Sequence, residues 1–227
     1  MRASVILSYL NSENTLGECL RRLKDQETDA RYEVCAIDGA DFNNCSEVAG
    51  QQIALCRARG DVLFFTNSDI FVPRDWMQRH LEHYPAADMV LGRSANLPMN
   101  GLLSLSFQNF SCSKEVLDAY PLNDTRHQDL DLALRIWKGR KVNPFRWDID
   151  NAIYVSTYDH DVTGEKAFKY LMNITILYRK YGVLPIPPAV PLKALRNVFD
   201  RPEKVLGAMV GACMPFNHTV GKRTKHK

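Results

Sequence analysis

The run Val62-Leu63-Phe64-Phe65 leaves this chain few structural options. Four large apolar residues in succession, set off upstream by Gly60-Asp61, do not suit a half-solvated surface and predict a strand buried on both faces. The apolar character stops abruptly at Asn67-Ser68-Asp69, before Ile70-Phe71-Val72-Pro73. Doubly covered strands are typical of open α/β sheets, in which ligands bind beyond the carboxyl ends of the strands. Three small polar residues therefore stand where a ligand is expected. An amide and a carboxylate two residues apart supply hard oxygen donors, which suit a divalent cation shared with a phosphate-bearing ligand. The same residues also fit an ordinary strand-to-helix loop, with Pro73 in the first turn of the helix and Asp75 at its amino terminus.

The upstream sequence supplies the rest of the sheet's first half. Residues 3–9 read as a buried first strand, and Asn11 or Ser12 can cap a helix whose Leu16, Cys19, Leu20 and Leu23 recur at spacings of three and four. A second strand, residues 32–37, ends at Asp38-Gly39-Ala40-Asp41, again an acidic group at a strand's carboxyl end. Residues 47–58 are helix-like and stop at Gly60. Strand, helix, strand, helix, strand is a βαβαβ half of a wound sheet. No GxGxxG follows the first strand and no Walker-type loop is present, which argues against a dinucleotide-binding domain.

Downstream, the pattern predicts a helix over 73–84, a short strand over 88–92, a strand over 102–112 and a helix over Lys114–Ala119. In Gln128-Asp129-Leu130-Asp131-Leu132-Ala133-Leu134-Arg135-Ile136-Trp137, the residues Leu130, Ala133, Leu134 and Trp137 share one helical face, and Gly139 is a natural stop. Gln128 and Asp129 then occupy the first turn, where a carboxylate can project into a pocket. A strand over 152–156 precedes His160, and a long helix is expected over 165–181. Four prolines between 183 and 191 rule out regular structure throughout that stretch. The organisation expected is therefore a domain over 1–182, with a nucleotide-binding half (1–92) and an acceptor half (93–182). A Pro-rich linker, short helices and a basic tail (183–227) form a helical C-terminal extension.

Bulk properties narrow the class. A chain of 227 residues, 45% hydrophobic and 24% charged, is an ordinary globular composition. A net charge of +3, part of it in 222–227, is too small to argue for nucleic acid. Six cysteines without a CxxC pair, three of them inside apolar patterns, suggest reduced thiols in a cytoplasmic protein rather than a disulfide frame or zinc site. Met1-Arg2-Ala3 leads directly into a strand pattern, and 205–216 is too short and too broken to span a bilayer. That stretch and the basic tail have two readings: packing on the core, or peripheral contact with an anionic membrane.

Taken in order, these motifs resemble the inverting nucleotide-sugar glycosyltransferases of family 2, which have the GT-A fold. The residues that carry the resemblance are Ser4 to Asn11, Ile37-Asp38-Gly39-Ala40, Asn67-Ser68-Asp69, Gln128-Asp129 and His160, over about the first 180 residues. It implies an α/β protein with a Rossmann-like mixed central sheet flanked by helices. It also implies metal-dependent transfer of a sugar from a nucleoside-diphosphate donor, UDP-sugar favoured, to a glycan or lipid-linked acceptor.

By this resemblance Asp38 binds the base, Ser8 and Tyr9 line the same pocket, and Asn67 and Ser68 contact the donor. Asp69 and His160 hold Mn²⁺ or Mg²⁺, and Asp129 is the general base, ranked above Asp131. Asp38 also fits a plain Asp turn, and a lone histidine is as often structural. Two departures stand out: Asn67 replaces the first Asp of Asp-x-Asp, and Gln128 replaces the Glu of Glu-Asp. They motivate a second reading, a nucleotide-sugar-binding module without turnover inside a glycan-building complex.

Overall fold

The computed structural model describes residues 1–42, 45–94, 105–123, 127–157, 177–178 and 180–182. The elements in chain order are β1 (Arg2–Tyr9), α1 (Glu13–Lys24), β2 (Arg31–Asp38), α2 (Glu47–Arg57), β3 (Val62–Phe65), β4 (Ile70–Phe71), α3 (Trp76–Leu81), β5 (Met89–Ser94), β6 (Phe110–Ser113), α4 (Lys114–Ala119), α5 (Gln128–Gly139) and β7 (Trp147–Thr157). A single 3-10 turn, Ala40–Phe42, follows β2.

The strands form a mixed seven-stranded sheet in the order β2-β1-β3-β6-β5-β7-β4. β1 is parallel to both β2 and β3, whereas β6 runs antiparallel to β3 and to β5. β5 and β7 are again parallel. All of β1, β2, β3, β5 and β7 therefore end at the same edge, which is the edge where α/β sheets bind ligands. The expected mixed α/β architecture is present.

The central run is buried as its composition requires. All four side chains of β3 are buried, and they alternate between two cores. Leu63 and Phe65 pack with Ile6, Met89, Phe110 and helix residues Val116, Leu132 and Ile136 on one face. Val62 and Phe64 pack with Val5, Leu7, Cys19, Leu23, Trp76 and Met77 on the other. Burying a phenylalanine stabilises by roughly 1.5–3 kcal/mol over leaving it in water. Phe65 also stacks on Phe107 at 4.4 Å between centroids, which draws the segment before β6 toward the end of β3.

Several predicted boundaries move, each for a local reason. The helix over 73–84 contracts to Trp76–Leu81. Pro73 and Arg74 lie outside it because their carbonyls accept bonds from Gln26 Nε2 (2.8 Å) and the Glu27 amide (2.8 Å). Ile70 and Phe71, read as loop, form a short edge strand against Thr157 and Ser156. Of the strand expected over 102–112, residues 102–104 lie outside the described residues, Phe107–Asn109 is a turn, and the strand is Phe110–Ser113. β7 is longer than expected, at 11 residues.

In α5 the buried set includes Leu132, Ala133 and Ile136 with Leu130 and Leu134, while Trp137 is 36% exposed. The apolar face is therefore rotated away from Trp137. Gly139 is the last residue of α5 rather than a left-handed cap, and a Cβ there would lie 2.1 Å from Tyr120 Oη. Close helix approach, not backbone freedom, accounts for this glycine. Of the helix expected over 165–181, the described residues 177, 178 and 180 are helical and Gly182 has φ of +70°, a natural helix terminator.

Candidate functional site

A cavity of about 320 Å³ opens at the carboxyl ends of β1 and β3. Its wall comprises residues 8–12 at and just after the end of β1, Asn14 and Thr15 in the first turn of α1, Cys45 and Glu47 at the start of α2, and Asn67, Ser68 and Asp69 after β3. The sequence dictates this arrangement simply. Both buried strands run out of apolar residues at the same edge, and the polar residues that follow have no core to enter. The amino terminus of α1 faces the same space, so the positive end of its dipole favours an anionic ligand.

Ser68 donates to or accepts from Ser12 across the cavity floor, with 2.8 Å between hydroxyls. This bond ties the β1–α1 loop to the loop after β3. The Asn67 carbonyl accepts from the Ile70 amide at 3.1 Å and weakly from Cys19 Sγ at 3.5 Å. The Asn67 side-chain Oδ1 is buried and has no hydrogen-bond partner among the described residues. A buried acceptor without a donor is costly by roughly 1–3 kcal/mol, and the cost disappears when a ligand or cation engages it. Cys19 is no competitor as a ligand: burial, reinforced by the Asp69 charge, pushes its thiol up to about 12.

Ser8 and Tyr9 line the cavity as expected. Ser8 is buried beneath α2, where a Cβ at Gly50 would sit 2.0 Å from Ser8 Oγ. Tyr9 pairs in register with Asp38 on β2, and its phenol is raised by burial and by the Asp38 and Asp41 charges. Asp38 itself lies outside the cavity lining, beside it at the end of β2. Its Oδ1 accepts the Ala40 amide at 2.9 Å, an Asp turn that fixes the loop. The Gly39 amide donates to the Tyr9 carbonyl at 2.8 Å, and this bond draws the ends of β1 and β2 together.

Asp129 is also outside the cavity lining. It sits on the first turn of α5, where the amides of Leu130 (2.8 Å), Asp129 itself and Phe107 donate to its carboxylate. Burial nonetheless raises its pKa above the ordinary carboxylate value. The bond to Phe107 and the Phe107–Phe65 stack tether Asp129 to the end of β3. Asp131 has a different environment. It is fully buried and bonded to Arg135 (2.8 Å), Asn123 (2.8 Å) and Tyr181 (2.5 Å), the pattern of a structural anchor. His160 lies outside the described residues.

Gln51 is a buried polar residue bonded to Gln128, next to Asp129, that the sequence pattern did not single out. It is fully buried on α2, and its Oε1 accepts a hydrogen bond from Gln128 Nε2. The departure from Glu at position 128 is thus matched by an amide on the opposite helix. No periodicity marks Gln51, because a polar residue in a helix is ordinarily solvated.

The donor set suits Mg²⁺ or Mn²⁺ in kind: an amide oxygen and a carboxylate, both hard ligands. Among the described residues no group of three His, Cys, Asp or Glu converges on one point. A cation here would take one or two protein oxygens and complete its shell with phosphate and water, as Mg²⁺ commonly does. The orphaned Asn67 Oδ1 is the feature of this site that fits such a group.

No family model matches the chain. A curated protein of Bacillus subtilis (strain 168), the uncharacterised glycosyltransferase YfnE, is 32% identical over 104 residues, covering 36% of this chain and 26% of that protein. Among solved structures, Staphylococcus aureus TarS superposes with a TM-score of 0.54 at 15% identity, over 88% of this chain and 43% of that one. The mannosyltransferase PcManGT of Pyrobaculum calidifontis, solved with GDP-Man and Mn²⁺, gives 0.64 at 15% identity, over 94% of this chain and 76% of that one. The fold is thus that of the GT-A glycosyltransferases, as the ordered motifs imply. The chain spans about a quarter of the length of the Bacillus protein and under half of TarS.

Proposed function

We propose that this chain is a metal-dependent, inverting glycosyltransferase that moves a sugar from a nucleoside-diphosphate donor to a hydroxyl of a glycan or lipid-linked acceptor. The observation that carries the reading is the polar cavity at the ends of β1 and β3, walled by Asn67-Ser68-Asp69, with a buried Asn67 Oδ1 that has no partner among the described residues. Likeness to a UDP-GlcNAc complex of TarS residues 1–349 and to the GDP-Man complex of PcManGT supports a nucleotide-sugar ligand. Because those neighbours hold different bases, the fold does not select the nucleotide; UDP remains the favoured donor base.

In this reading Asp38 and Tyr9 frame the base, and Ser8 backs the same wall. Ser12 and Ser68 hold the two loops at the separation the diphosphate needs. Asp69 and Asn67 would hold the cation, which supplies positive charge to stabilise the departing diphosphate. Asp129 takes the proton of the acceptor hydroxyl as that oxygen bonds to the anomeric carbon. The bond from that carbon to the diphosphate oxygen breaks on the opposite face, so configuration inverts. Its burial makes the carboxylate a stronger base than one in water, and the three amides keep it oriented.

The test is thermal stability against UDP, GDP, CDP and dTDP, with and without Mn²⁺. One nucleotide should stabilise only with metal, and Asp69→Ala should remove the effect. No shift with any nucleotide would sink the reading. The neutral Asn67 and Gln128 motivate the alternative of a binding module without turnover. That alternative requires nucleotide binding with no sugar transfer; transfer that is lost in Asp129→Asn would exclude it.

A further inference from the structure

The far end of α5 carries a feature that the sugar-transfer reading does not use. From Trp137 to Val142 the chain reads Trp-Lys-Gly-Arg-Lys-Val, and no acidic residue occurs between Asp131 and Asp148. Trp137 is 36% exposed and Val142 81%. Lys138, Arg140 and Lys141 are all exposed, and none makes an ion pair among the described residues. Arg140 instead lies over the Trp137 ring, 5.4 Å from its centroid. The Val142 and Asn143 amides both bond to the Gly139 carbonyl, so these residues form a tight, protruding corner. Trp147, 38% exposed, begins β7 a few residues on.

Several cations elsewhere on this surface are matched: Arg21 and Arg22 with Glu18, Lys114 with Asp118, Arg79 with Asp75, Arg146 with Asp88. The α5 corner combines unmatched cations with exposed Trp and Val. A nucleic acid would use the charges but would gain nothing from a protruding valine. A lipid headgroup layer uses both, since tryptophan settles at the interface and Lys and Arg meet anionic headgroups.

We propose that this corner, Trp137–Val142, is a docking surface for an anionic phospholipid membrane. α5 begins beside the end of β3 and runs 12 residues away from it, so its last residue is roughly 15 Å from Asp129. β5 and β7 start at that same far end, opposite the cavity. A chain docked here keeps the cavity open to water. The surface is distinct from residues 205–227 and independent of the proposed activity.

The experiment is co-sedimentation of the full chain with phosphatidylcholine vesicles, with and without phosphatidylglycerol, at low and high salt. Each cation near an anionic surface contributes about fivefold in partitioning. The triple variant Lys138→Glu, Arg140→Glu, Lys141→Glu should therefore bind anionic vesicles at least tenfold more weakly, with an unchanged melting temperature. Replacing the four cations at 222, 223, 225 and 227 by serine should leave that difference intact. Tryptophan emission gives a local readout, because Trp76 is fully buried and only Trp137 and Trp147 can meet lipid. A blue shift on vesicle addition should shrink in Trp137→Phe. The proposal is overturned if the full chain ignores anionic vesicles, if the triple variant binds them equally well, or if the triple variant loses duplex DNA binding and keeps vesicle binding.

Discussion

The buried histidine of α3 gives the sharpest physical prediction. His80 is fully buried, with Nδ1 2.9 Å from Ser111 Oγ and Nε2 2.9 Å from Asn109 Oδ1. Asn109 Oδ1 also accepts the Trp76 indole at 2.7 Å, and its Nδ2 donates to the carbonyls of Arg93 and Ile153. One neutral imidazole thus helps lock α3, β5, β6 and β7 together. Burial, only partly opposed by the bond to Asn109 and by Asp150, lowers the His80 pKa from 6.5 to about 4.

Above pH 6.5 both folded and unfolded chains hold this group neutral, and it adds nothing to the pH dependence. As pH falls, the unfolded chain takes up the proton first, so stability is lost between 6.5 and about 4 and then levels off. A shift of this size corresponds to a loss of about 2 kcal/mol by pH 5 and roughly 3 kcal/mol at the limit. Urea unfolding at pH 7 and pH 5 measures it, with His80→Gln as the comparison. The variant retains a donor and an acceptor but cannot titrate here. Carboxylates common to both proteins cancel in the double difference. Identical pH dependence of the two proteins would refute the reasoning, whatever the absolute stability of the variant.

Further expectations concern the cavity and its supports. Gly50→Ala forces a methyl to within 2.0 Å of Ser8 Oγ, and should cost about 1–3 kcal/mol in chemical denaturation while weakening nucleotide binding. Gln51→Leu strands the buried Gln128 amide and should lower stability by about 1–3 kcal/mol. Gln128→Glu places a like charge next to Asp129, so the lower limb of the pH–rate profile should move to higher pH; an unmoved limb would count against Asp129 as the base. Iodoacetamide at pH 8 should label exposed Cys56 readily and spare Cys19 and Cys112, whose thiols burial pushes well up. Peptide mapping decides that.

What the sequence made legible was whatever hydrophobicity alone controls. The Val62–Phe65 run could only be a strand covered on both faces, and its abrupt polar ending located the cavity. β1, β2, α2, α4 and the start of α5 followed from the same logic. Illegible were features in which a distant partner overrides local pattern. Pro73 looks like a helix start, yet Gln26 from the end of α1 captures its carbonyl and delays the helix to Trp76. Trp137 fits the apolar spacing of α5, but Leu132 and Ile136 occupy the core and turn it outward.

The candidate site divides in the same way. Residues at strand ends, Ser8, Tyr9, Asn67, Ser68 and Asp69, were readable because topology alone brings them to one cavity. Gln51 was not, since its meaning depends on Gln128, 77 residues later. That pairing changes how the two departures from the family pattern are to be weighed. Gln128 is buried and engaged with another helix, so its loss of charge reads as a packing solution at the base of α5, with Asp129 intact beside it. Asn67 differs in position: its Oδ1, like Gln51 Nε2 and Gln128 Oε1, has no partner among the described residues, but Asn67 lines the cavity beside Asp69 and the two glutamines do not. A degraded site would be expected to fill or satisfy that atom over time, as any buried acceptor left unbonded costs stability. An acceptor kept open beside Asp69, in a cavity of this size, is better explained by a ligand that completes it.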